Sequence, residues 1–199
     1  MKTAVKLISW WMLLGIVSFA QQGQGQRLPD VKIKDLQGQW VSARTLQNNG
    51  KPFVISFWAT WCKPCLVELE TLKDVYPEWQ EETGVKIIAI SIDDVRNSRK
   101  VAPFVKSRGW EYEVYLDENS ELRRALGVTN IPHTFLLDGD GYIVWQHASF
   151  TPGDEDELYE KIQALLETEK AEQDKQPGDS LDKPQPMPQS DHLRKGMEQ

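Results

Sequence analysis

The most constraining feature is a pair of cysteines, Cys62-Lys63-Pro64-Cys65, placed directly after an almost continuous apolar run, Phe53-Val54-Ile55-Ser56-Phe57-Trp58. A run of that kind suits a strand buried on both faces, as in a parallel sheet covered by helices. From Cys62 to about Tyr76 the apolar spacing becomes helical, so the cysteine pair opens a helix. Cys62 then lies where unpaired backbone N–H groups and the positive end of the helix dipole favour a thiolate. Cysteines in such places have pKa values of about 3.5 to 7.5 rather than about 8.5. Pro64 falls in the first turn, where its missing N–H costs nothing, and Lys63 adds a nearby positive charge. Cys65 is within one turn of Cys62, so the two can close a small disulfide. That is the requirement of dithiol–disulfide exchange, in which Cys62 attacks and Cys65 resolves the mixed disulfide. A purely structural staple is the weaker reading, because closing a four-residue loop gains least. A zinc site is also weak, because the motif supplies two of four ligands.

The chain holds only 2 cysteines in 199 residues, which excludes a disulfide framework and any four-thiolate cluster. Its formal net charge of −7 speaks against a nucleic-acid partner. The first twenty residues read as a secretory signal. Lys2 and Lys6 precede the uncharged stretch Leu7–Ala20, which ends in Ser18-Phe19-Ala20. That stretch is short of the roughly 18–20 residues that span a bilayer. Cleavage would leave 21 basic against 30 acidic residues, a charge of −9, on a protein that is extracytoplasmic, periplasmic or otherwise secreted, and not integral to the membrane. Thiols in such a compartment are not held reduced by a cytosolic pool.

The rest of the chain reads as a flexible Gln/Gly leader over 21–27, an α/β domain over 28–170 and a disordered polar tail over 171–199. The tail has no aromatic residue and carries Pro177, Pro184, Pro186 and Pro188. Within the domain, a β-hairpin ends near Ser42. Strands are expected at 53–58, 85–92, 112–116, 134–137 and 142–148, with a turn at Asp138-Gly139-Asp140-Gly141. Helices are expected from Cys62 to about Tyr76, where Pro77 interrupts the pattern, and over 98–107, 119–126 and 154–168. The late hairpin makes the central sheet mixed.

The segment Phe57-Trp58-Ala59-Thr60-Trp61-Cys62-Lys63-Pro64-Cys65 resembles the active-site segment of the thioredoxin-like proteins of the TlpA/ResA/CcmG type, within the AhpC/TSA-related thioredoxin fold. The resemblance runs from about Leu28 to Leu166. It includes the N-terminal hairpin, an extra helix after the second buried strand, and Gly127-Val128-Thr129-Asn130-Ile131-Pro132-His133-Thr134-Phe135. It implies a thioredoxin-like fold with a cis Ile131–Pro132 bond facing the cysteines, and an Ile131 backbone that aligns a substrate strand beside Cys62. It further implies a thiol–disulfide oxidoreductase, most readily a reductase of protein disulfides in cytochrome c maturation or a related route. Client disulfides and a membrane-bound thiol donor would be its partners. No cofactor or metal beyond the redox-active Cys62–Cys65 disulfide is implied.

Cys65, Glu68, Leu69, Leu72, Val75, Tyr76 and Trp79 form one helix face. A carboxylate in that stripe needs a reason. It is either a stripe-edge Glu with its head in water or an acid–base group beside the cysteines. Relatives carry a Glu at this position, which favours the second. Glu70 is expected in solvent; many relatives have a kink-forming proline there. The catalytic candidates are thus Cys62, Cys65, Glu68 and Pro132, and the substrate-contacting candidates are Trp61, Lys63, Pro64 and Ile131. Trp58 is expected in the core. His133 is expected on a partly exposed loop, His147 on the last hairpin and His192 in the tail. Asp93-Asp94 is expected to cap a turn. Three rivals share the fold: a disulfide oxidant, a thiol peroxidase, and a copper chaperone using Cys62, Cys65 and His133. The copper-delivery proteins used for comparison have a Cys-x-x-x-Cys spacing instead.

Overall fold

A computed structural model describes residues 25–175. The expected signal sequence over residues 1–20, the start of the expected leader and the part of the expected tail beyond 175 lie outside the described residues. No described helix is long and apolar enough to cross a membrane.

The short strands β1 (Lys32–Asp35) and β2 (Trp40–Ser42) form the expected hairpin. Asp35 Oδ1 accepts from the N–H groups of Gln37 and Gln39, and Gly38 supplies the positive φ of the turn. Next come β3 (Phe53–Trp58), α1 (Lys63–Thr83) and β4 (Lys86–Ser91). A 3-10 turn at Ser98–Lys100 leads into α2 (Val101–Arg108), followed by β5 (Glu113–Leu116) and α3 (Glu121–Ala125). The chain finishes with β6 (His133–Leu137), β7 (Ile143–Ala148) and α4 (Asp154–Lys175).

The seven strands form one mixed sheet in the order β2-β1-β5-β4-β3-β6-β7. β3, β4 and β5 run parallel, and β6 is antiparallel to β3. All six residues of β3 are buried, as its unbroken apolar run requires, and β3 lies between β4 and β6. Its C-terminal end delivers the cysteine pair. Trp58 is in the core, with the edge of Trp110 on it at 5.1 Å between ring centroids.

Three expectations are corrected. First, α1 does not stop at Tyr76. It continues through Pro77 to Thr83, where Gly84 caps it at φ 68°. Pro77 is exposed and cannot donate to the carbonyl one turn back, at Lys73. Beyond it Trp79 is buried and stacks on Tyr159 of α4 at 5.1 Å, an anchor that outweighs the lost hydrogen bond. Second, α4 continues past the expected end at 168 and the expected domain limit at 170, to Lys175. Four acids in its first turn suit the positive end of the helix dipole. Third, the end of the leader is tied down. Gln26 O accepts from Ile143 N at 2.9 Å, Arg27 bridges Tyr142, and the Arg27 guanidinium lies over the Tyr142 ring. β7 is an edge strand, and the leader takes up backbone groups that would otherwise face solvent. A side chain at Gly25 would collide with the Ile143 carbonyl.

Candidate active site

The site forms where β3, α1 and the turn before β6 meet. Cys62 is the N-cap of α1, and its Sγ accepts from the Cys65 N–H at 3.3 Å. Lys63 and Pro64 fill the first helical positions and are exposed, while Cys65 is fully buried. Cys62 and Cys65 are joined as a disulfide. Trp61 is 64% exposed immediately before Cys62.

Across from the pair, the Ile131–Pro132 peptide is cis. The Ile131 carbonyl oxygen lies 3.8 Å from Cys62 Sγ. The turn therefore presents a backbone acceptor beside the more accessible sulfur. Pro132 is buried and Ile131 partly exposed.

Glu68 is 4% exposed, one turn beyond Cys65 on the same helix face. Its Oε2 accepts from Ser56 Oγ of β3 at 2.7 Å, and its Oε1 from Thr134 Oγ1 of β6 at 2.6 Å. Loss of hydration pushes its pKa up to about 7, against the two hydroxyl bonds and the charge of His147, which pull it down. Glu68 is thus a buried carboxyl with a pKa raised towards neutrality, and not a solvated stripe-edge residue. Glu70 points elsewhere and accepts from Arg108 Nη1 and Trp110 Nε1.

His133 is the first residue of β6 and not a loop residue. Its ring lies 4.6 Å from that of Phe135 between centroids, and its Nε2 is 3.1 Å from Gln146 Oε1. Burial lowers its pKa. Among the described residues, no three His, Cys, Asp or Glu side chains converge as a metal-ligand set.

Two contributors are not evident from spacing. Thr134 is read in the sequence only as the start of a strand, yet it holds one oxygen of Glu68. Asp93, expected as a turn cap, is fully buried. It accepts from Thr60 N at 2.8 Å, Thr60 Oγ1 at 2.7 Å and Ser91 Oγ at 2.8 Å. It therefore pins the loop that carries Trp61 and Cys62 to the end of β4. Asp94 does cap the turn, accepting from the N–H groups of Arg96 and Asn97. The only signal for Asp93 is an acid directly following a buried strand.

The chain matches the AhpC/TSA family over residues 24–146. The thiol-disulfide oxidoreductase ResA of Bacillus thuringiensis (strain Al Hakam) is 34% identical over 122 residues, covering 61% of this chain and 68% of the relative. ResA of Halalkalibacterium halodurans is 29% identical over 145 residues, covering 73% and 78%. Among solved structures, an uncharacterized thioredoxin-like protein from Porphyromonas gingivalis is 47% identical with a TM-score of 0.66, covering 72% of this chain and 94% of that one. A candidate thiol:disulfide interchange protein DsbE from Chlorobium tepidum is 25% identical with a TM-score of 0.62, covering 72% and 97%.

Proposed function

The chain belongs to the AhpC/TSA family and is a thiol–disulfide oxidoreductase with a thioredoxin fold, and we propose that it works outside the cytoplasm as a reductase of protein disulfides. The reduced Cys62 thiolate attacks a client disulfide. One client sulfur bonds to Cys62 and the other leaves as a thiolate. Glu68, as carboxylate, takes the proton of the Cys65 thiol. Cys65 then attacks the Cys62 sulfur, the Cys62–Cys65 disulfide forms, and the second client sulfur leaves as a thiolate. The client gains two electrons and the cysteine pair loses two. A membrane-bound thiol donor restores the dithiol.

The observation that carries this reading is the placement of Glu68, buried one turn from Cys65 with a pKa of about 7. A reductase must deprotonate its resolving cysteine in every turnover, and the site holds a base for that step. The client strand would lie against Trp61, Lys63 and Pro64, beside the Ile131 carbonyl and the Pro132 turn. The signal-like residues 1–20 support the location. Cytochrome c maturation is the route the family resemblance favours.

The test is a redox titration of the Cys62–Cys65 pair with an insulin-reduction assay. A reductase titrates near the roughly −270 mV of thioredoxin and reduces insulin, and Cys62→Ser abolishes the activity. A potential near about −120 mV would make the protein an oxidant and overturn the reading.

A further inference from the structure

Two tryptophans stand out of the surface at one end of the sheet. β3, β4 and β5 run parallel, so their C-terminal ends lie together with the cysteine pair. Trp61 follows β3, Val95 follows β4, and both are exposed. Trp40 of β2 is 60% exposed and reaches the same end through the register. It pairs with Lys34, and Lys34 pairs with Leu116, the last residue of β5. Tryptophan is buried in most folds and enriched at the centres of interfaces, so two open indoles beside a reactive pair mark a contact surface.

This surface is braced along its length. Asp93 ties the loop before Cys62 to the end of β4, and Asp94 caps the turn that carries Val95. Ser98 Oγ, just after that turn, donates to Glu118 Oε1 at 2.6 Å. Lys34 Nζ donates to Glu118 Oε2 at 2.6 Å and lies 4.8 Å from the centroid of the Trp40 ring. Trp40 is thus fixed relative to the cysteine loop before a partner arrives, which lowers the cost of binding. β1, β5 and β4 lie between β2 and β3. Strands are about 4.8 Å apart, so Trp40 is about 19 Å from the end of β3, a span that an extended chain crosses in about six residues.

Beside Trp40 lies a cavity of about 190 Å³. It has room for several waters or one long side chain. Trp40 and Leu116 give it an apolar wall, and its charged lining residues are Lys32, Asp117, Glu118 and Glu121. With Lys34, two lysines stand against three carboxylates. The turn at Val95 adds Asp94 and Arg96, whose charges cancel. Asp117 is committed to α3, accepting from the N–H groups of Glu121, Leu122 and Arg123, and Glu118 is committed to Lys34 and Ser98. Glu121 is exposed and enters none of the ion pairs among the described residues. The cavity therefore offers an open indole and one uncommitted carboxylate.

We propose that this cavity is a second docking point for the client. A lysine or arginine side chain about six residues from the client cysteine lays its stem on Trp40 and brings its charge to Glu121. The proposal rests on the reading of the protein as a reductase of client disulfides. The chain itself displays the chemistry: Lys34 takes the same pair of partners, the Trp40 ring and a carboxylate. An indole attracts a cation and covers its apolar stem. An acidic client side chain would meet Glu118 and Glu121 and be repelled, so the cavity selects by charge as well as by reach. The client would then run from the Ile131 turn across Cys62 and Val95 to Trp40.

The test uses the reduced full chain in single turnover. Its substrates are extended synthetic peptides with one cysteine, carried as the disulfide with thionitrobenzoate, and with Arg, Ser or Glu six positions away on either side. Release of the coloured thiol is followed against peptide concentration, with dithiobisnitrobenzoate as a disulfide too small to reach Trp40. The Arg peptide should half-saturate the protein at a concentration at least fivefold below that of the Glu peptide. Trp40→Ala and Glu121→Gln should each raise the Arg value threefold or more, leaving its limiting rate and the small disulfide unchanged. Equal half-saturation for the three peptides, or an equal rise for all three in Trp40→Ala, would overturn the cation site. Self-association of the unchanged chain that Trp40→Ala abolishes in sedimentation would put a second copy on the cavity and overturn it too. A redox potential in the oxidant range would fail the reductase reading by itself, because discrimination among the peptides is read on the reduced protein whatever its potential.

Discussion

Glu68 and Thr134 are 66 positions apart in the chain, yet their side-chain oxygens meet at 2.6 Å beneath the cysteine pair. The contact ties the helix that carries Cys65 to the strand that follows the Ile131–Pro132 turn. Thr134→Val keeps the shape and removes the hydroxyl. That bond stabilises the carboxylate by about 1.5 kcal/mol, a typical value for a charged acceptor, so its loss should raise the Glu68 midpoint from about 7 by about one pH unit. Carboxyl NMR titration measures this, and an unmoved midpoint would show that Thr134 does not tune the acid.

Burial of Glu68 also makes the fold sensitive to pH. Its pKa rises from 4.5 to about 7 on folding, so the folded state holds the proton more tightly than the unfolded chain. The contribution is most favourable below pH 4.5, is lost as pH rises from 4.5 to 7, and stays lost above 7. A difference of about 2.5 units corresponds to about 3 kcal/mol. Glu68→Gln should therefore gain stability relative to the unchanged chain between pH 5 and pH 8, read as the difference in urea midpoints at the two pH values. Equal differences at both would contradict the raised pKa.

Much of this site could be read along the chain because its parts are local. Cys62, Cys65 and Glu68 share one helix, and a carboxylate in an apolar stripe is visible from spacing alone. The bonds of Ser56 and Thr134 to Glu68 are not legible along the chain, because a hydroxyl within a strand carries no sign of which helix it will face. Asp93 looked like a capping residue for the same reason: its three donors come from the end of β4 and from a loop 33 positions earlier. The end of α1 is not legible in the sequence because the break expected at Pro77 is local, whereas the Trp79–Tyr159 stack that overrides it joins two distant helices.

Asp93 should prove important to the loop before Cys62. Asp93→Ala leaves the Thr60 amide and two hydroxyls without their acceptor in a buried site, at a cost of about 3 kcal/mol. Urea unfolding reports that loss. Insulin reduction at a temperature where the variant is still folded should also fall, since the loop sets the position of Cys62. Wild-type stability would show that the three hydrogen bonds are redundant.

The α1–α4 contact can be tested in isolation from the chemistry. Trp79→Ala removes a buried indole and its stacking on Tyr159, and large aromatic truncations cost about 3 to 5 kcal/mol. Tyr159 also donates from its hydroxyl to Glu82, near the end of α1. Thermal unfolding of Trp79→Ala should therefore begin with α4 detaching, seen as early loss of amide protection over 154–175. Uniform loss of protection would mean that α4 and the sheet unfold as one unit.

The leader segment at Gln26 and Arg27 has a consequence for how these molecules behave in a crowd. The sheet has two rims. One is the three-residue strand β2, too short to seed an added strand. The other is β7, whose opening stretch at Tyr142 and Ile143 is already occupied by the protein's own backbone. A strand added by a neighbouring copy therefore cannot pair with the start of β7, which shortens the template that this rim offers to ordered clumping.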